Sequence, residues 1–117
     1  MKTKRVKRLL RKYCNWWIHW MGLEYWRVTV NFMSGKHKGR NGNLLAGKND
    51  ADWKYLEATI AFYPDAMRHL TKDAIERLVC HELVHTFLNE MRESGIDHEE
   101  RVTSELTKAF MWVKHAE

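Results

Sequence analysis

At 117 residues the chain fits one domain, spanning 1–117, and leaves little room for a second. Its 44% apolar residues and six tryptophans are enough to bury a core, which excludes wholesale disorder. The formal charge of +5 is concentrated in the first dozen residues, and no run approaches the roughly 18 apolar residues of a membrane span.

Lys2, Lys4, Arg5, Lys7, Arg8, Arg11 and Lys12 precede an apolar stretch as in a secretory signal. That stretch contains Asn15 and His19, however, and no small-x-small cleavage site follows it. Cys14 and Cys80 lie in apolar helical stretches and make no disulfide framework. A soluble protein in a reducing cytoplasm is therefore expected, with no membrane partner.

Val6, Leu9, Leu10, Tyr13, Trp16, Trp17 and Trp20 recur at three- and four-residue spacing, which predicts a basic N-terminal helix stopped by Gly22. Its charged face is either a solvated surface or a contact for nucleic acid or an acidic protein. Period two then takes over. Trp26, Val28, Val30 and Phe32 fall on one face of a strand within 25–33. Four glycines among Lys, His and Asn mark 34–50 as loop or loose hairpin, with a short strand at 43–46 as an option. His37 with Lys36, Lys38 and Arg40 is a loop cluster that suits an anion or nothing in particular.

Leu56, Ala58, Ile60 and Phe62 alternate as a second strand, closed by Pro64 and Asp65. Thr71 is placed to cap a helix whose apolar residues, from Ile75 to Met91, cover much of its circumference, so that it should be buried. Ser94-Gly95-Ile96 breaks it. Asp97 and Glu100 read as a capping box for a last helix facing inward through Val102, Leu106, Ala109, Phe110 and Val113. The expected fold is α+β: the basic helix, a two- to three-stranded sheet and two further helices.

His81-Glu82-Leu83-Val84-His85 matches H-E-x-x-H. Residues four apart share a helix face, so both imidazoles can reach one ion, and neutral imidazole suits Zn²⁺. Glu82 lies about 100° round the helix from His81, where its carboxylate can act as base and then acid in peptide hydrolysis. A third ligand must come from the last helix. Glu99 shares the phase of Val102 and Leu106 and is the choice, while Glu100, engaged in the cap, and His98 are the alternatives. Tyr55 and Tyr63 are candidate oxyanion donors.

With these residues in place, the chain resembles the small zincin-like metallopeptidases of phages and mobile elements, and more distantly the ImmA/IrrE type. The likeness rests on the strand Leu56-Glu57-Ala58-Thr59-Ile60, the helix around His81 and His85, and Glu99-Glu100-Arg101-Val102 with Leu106. It implies a zinc-dependent peptidase acting on a protein or peptide, in the host cytoplasm if phage-encoded. It also implies a ligating glutamate with an apolar residue three positions on, which Glu99 and Val102 fit, and an edge strand, Ala58 to Phe62, that pairs with substrate. Thr103 departs from the Asn common in the larger relatives, so their repressor-cleaving role is not implied. The competing reading is a basic binding module in which the same zinc only holds helices together.

Overall fold

The first helix, α1, runs Thr3–Trp20 in a computed structural model that describes residues 1–36, 46–92 and 98–116, the side chains of Glu90 and Arg92 apart. Val6, Leu9, Leu10, Tyr13, Cys14 and Trp17 are its buried stripe. Trp16 and Trp20 stay 39% and 43% exposed, stacked on each other with centroids 6.0 Å apart, instead of facing inward. The helix ends as expected. Gly22 sits at φ +70°, its N–H bonds to His19 O, and Leu23 N–H bonds to Ile18 O. This pair of bonds is a Schellman motif, in which the left-handed residue must lack a Cβ to avoid strain. Leu23 then drops into the core, 1% exposed.

Three strands follow, β1 (Arg27–Phe32), β2 (Gly47–Asp52) and β3 (Glu57–Phe62). Their order is β1-β3-β2, with β1 parallel to β3 and β2 antiparallel to it. Two expectations need correcting. The polar stretch read as loop or loose hairpin holds the first four residues of β2, which runs on to Asp52, and β3 is the central strand rather than an edge. Both neighbours consume the β3 backbone, so it cannot receive a substrate chain. The option of a strand at 43–46, and the cluster at His37, Lys38 and Arg40, fall outside the described residues except for Ala46.

β2 escapes hydrophobic patterning because its inward positions are Gly47, Asn49 and Ala51, and strand propensity yields to context. Gly47 sits close against its neighbour: a Cβ there would meet the Phe62 ring at 3.1 Å and Ala61 O at 3.3 Å. A larger residue would make them give by a few tenths of an ångström. On β3, Ala58, Ile60 and Phe62 are buried as the alternation predicts. Leu56 is not in the strand. It takes φ 53° in the turn, where its carbonyl accepts Arg27 N–H.

Helix α2 (Lys72–Arg92) is the centre of the molecule, packed against α1, α3 and β2. Thr71 caps it, accepting Ala74 N–H at 3.2 Å. Ile75, Val79, Cys80, Leu83, Val84 and Leu88 are buried, so the helix is interior over most of its length. Phe87 and Met91 near its end are 49% and 53% exposed, against the expectation. Glu76 is buried with them and is satisfied by distant partners: Trp17 Nε1 at 2.8 Å, Lys114 Nζ and His115 Nε2 at 3.1 Å. This node ties α1, α2 and the last helix together.

Helix α3 (Glu99–His115) packs on α2 through Thr103, Thr107 and Met111, which are buried, with Val102, Leu106 and Phe110 half-buried beside them. Ala109 and Val113 are exposed, so the helix is turned by about one residue from the expected inward face. Its N-cap residue is His98, in the left-handed region and without a side-chain cap. Residues 94–97 lie outside the described residues. With His98 at the cap, Glu100 is not the third helical residue and does not complete a capping box. The whole is α+β, and among the described residues no helix is long and apolar enough to cross a membrane.

Candidate metal centre

The site is built where α2, α3 and β2 meet. His81 and His85 stand one helical turn apart on α2, their ring centroids separated by 4.9 Å. Glu100, at the start of α3, reaches across to both. One of its oxygens lies 2.6 Å from His85 Nε2 and another lies 3.3 Å from His81 Nε2. Ligand atoms of His81, His85 and Glu100 all fall within 4.8 Å of one another, a separation that one ion can span.

Glu99 is close but on the other side of the ring. It contacts His85 Nδ1 at 2.8 Å, where a carboxylate orients an imidazole and fixes its tautomer. Proximity groups Glu100, rather than the Glu99 expected from helical phase, with the two imidazoles. The phase of α3 does not separate the two glutamates. Its inner stripe of Thr103, Thr107 and Met111 runs back four residues to Glu99, whose side chain is 19% exposed, while the neighbouring Glu100 is 72% exposed and reaches over to the rings. His98 is exposed and stands outside the three-residue group.

Electrostatics suit a cation. Burial lowers the His81 pKa, an effect that the Glu100 carboxylate only partly offsets, so the ring is held neutral and able to ligate. Burial also pushes the Glu82 carboxyl up to about 7. A nearby dication would act in the opposite direction. Glu82 is 7% exposed and lines a cleft of about 250 Å³ with His85, Glu100, Gly47, Lys48 and Asn49.

Asn49 was not legible as part of a site. Its Nδ2 donates to Glu82 O at 3.2 Å and to Thr86 Oγ1 at 2.7 Å. Four residues along, Trp53 N–H donates to Asn89 Oδ1 at 2.8 Å. These bonds clamp β2 along α2 and set it beside Glu82 and His85 at the cleft. The only signal in the sequence is the alternation Gly47, Asn49, Ala51, Trp53, small or polar residues leading to one aromatic anchor. Tyr55 is 74% exposed and Tyr63 is 5% exposed, and neither lines the cleft. Comparison of the chain with protein-family models, with curated proteins and with solved structures found no match.

Proposed function

We propose that the chain is a zinc-dependent peptidase of the minimal zincin kind, with His81, His85 and Glu100 holding the metal and Glu82 as the catalytic base. The observation that carries this reading is the convergence of two imidazole Nε2 atoms and one carboxylate from two helices, beside a buried glutamate in an open cleft. Two nitrogens and one oxygen are a donor set that suits catalytic zinc, which takes three protein ligands.

Bound zinc would supply Lewis acidity toward water and toward a scissile carbonyl. Glu82 takes a proton from the attacking water and delivers it to the leaving amine, so it serves first as base and then as acid. Glu99 holds the His85 ring from behind. β2 replaces β3 as the strand that receives substrate. Its outer edge has no strand partner among the described residues, and an extended peptide can add there by backbone hydrogen bonding. The buried free thiols Cys14 and Cys80 favour a reducing compartment, the host cytoplasm if the gene is carried by a phage.

Zinc titration of two variants tests the ligand set. Glu100→Ala removes a ligand and should weaken zinc binding by more than ~100-fold, beyond the range typical of outer contacts. Glu99→Ala removes an outer contact and should cost ~10–100-fold. The reverse order would return the metal to Glu99. Small, equal losses would move it to His98.

A further inference from the structure

We propose that the exposed face of α1 is a docking surface for the phosphate backbone of double-stranded nucleic acid, bound without regard to base sequence. Lys2, Lys4, Arg5, Arg8, Arg11 and Lys12 are all exposed. Lys4, Arg8 and Arg11 follow one another along the outer face, flanked by Arg5 and Lys12, opposite the buried stripe. None of the six is in an ion pair among the described residues.

Two features separate this face from an ordinary solvated one. Like charges recur at four-residue spacing, Lys4 with Arg8 and Arg8 with Lys12, where they repel. The charges also crowd the amino end of a helix that has no acidic residue in its first turn and no side-chain cap, the end at which the helix dipole disfavours cations. The missing acid, the missing cap and the crowded cations all depart from the rules for a stable helix start in the same direction. Such concerted departures belong to functional surfaces, and a polyanion removes both penalties.

Asp65 at the foot of the helix is bound to Thr3 Oγ1 at 2.8 Å and Gly35 N–H at 3.1 Å. It offsets charge at Arg68 and Lys7 and is in no ion pair with the six outer side chains.

The geometry favours a duplex over a membrane. Surface helices that bind lipid insert an apolar face, whereas the apolar face of α1 is spent in the core. The basic stretch from Lys2 to Lys12 is about 15 Å long and faces roughly nine duplex charges. The side chains are Lys and Arg on a regular helix spaced for backbone contact, so affinity should follow salt rather than sequence.

The test uses the full chain and a fluorescent duplex of about 30 base pairs in scrambled sequence, titrated by anisotropy between roughly 50 and 200 mM salt. The parent should bind with a log–log salt slope of about −4 to −5. A variant with Lys4, Arg8, Arg11 and Lys12 all changed to Gln should lose at least ~100-fold in affinity at ~100 mM salt and about 3–4 in the slope. A control with Lys54, Arg77, Arg101 and Lys108 changed to Gln carries the same change in net charge and should lose less than ~5-fold. Circular dichroism should show both variants helical, since Gln is a good helix former. No binding by the parent, or equal losses in the two variants, would overturn the proposal. Equal or tighter binding of the parent to polyglutamate or to anionic lipid vesicles would overturn it in favour of those partners.

Discussion

Glu82→Gln is expected to leave zinc binding intact and to lower peptide hydrolysis by at least ~100-fold. Glutamine keeps the size of the side chain and its hydrogen-bonding shape, and it cannot accept the proton that the reaction must move. The residue is well placed for such a test. It is 7% exposed, and the cleft it lines also contains His85 and Glu100. Its backbone carbonyl is held by Asn49, so the substitution changes one carboxylate without loosening β2. An unstructured protein such as casein is a suitable substrate, with zinc content measured on the same sample. Parent-rate cleavage by a zinc-loaded Glu82→Gln variant would remove Glu82 from the reaction.

The second large effect is on stability and lies away from the cleft. Glu76 is 2% exposed and accepts from Trp17, Lys114 and His115. Removing one member of a buried charged group leaves the other uncompensated, so Glu76→Ala should cost about 3–5 kcal/mol. The ammonium left behind still lies 4.1 Å from the Trp16 ring, which places the cost toward the lower end. Burial alone would raise the pKa of Glu76. The hydrogen bonds from Lys114 and Trp17, the charge of Lys114 and the bond from His115 outweigh it and hold the pKa below the usual carboxylate value.

The sign of the pH dependence follows. A depressed folded pKa means that the unfolded chain binds the proton more readily, so the contribution is complete above the unfolded pKa of about 4.3. It is lost as pH falls through the lower, folded value. Denaturant unfolding of parent and Glu76→Gln should therefore show a gap near neutrality that narrows below about pH 4. A gap constant with pH would mean that the charge of Glu76 contributes nothing.

What could be read in the sequence was local. The H-E-x-x-H spacing places both imidazoles on one helix face wherever that helix sits, and α2 is interior as its apolar circumference implies, except at Phe87 and Met91. The stripe of α1 and the alternation of β3 depend on periods of a few residues, and both were legible. Three features were not, each because distant chain decides it. β2 is a strand through its ladder to β3 and its bonds to α2, while its inward residues carry no apolar signal. The reach of Glu100 to both imidazoles depends on how α3 packs on α2, which the apolar pattern of Ala109 and Val113 does not give. Glu76 has partners 59, 38 and 39 residues away. Only its position three residues before Val79, on the buried face of an apolar helix, hinted that a carboxylate there needs one.

The central claim is that this cluster of side chains is a metal site, and elemental analysis of the purified chain tests it most directly. About one zinc per chain is predicted, as two helical imidazoles and a carboxylate would bind it. The metal should be lost in His81→Ala and in His85→Ala, and stability should fall with it, since metal binding is coupled to folding. A chain that carries no metal after supply with zinc, and unfolds at the same temperature with and without a chelator, would contradict the account.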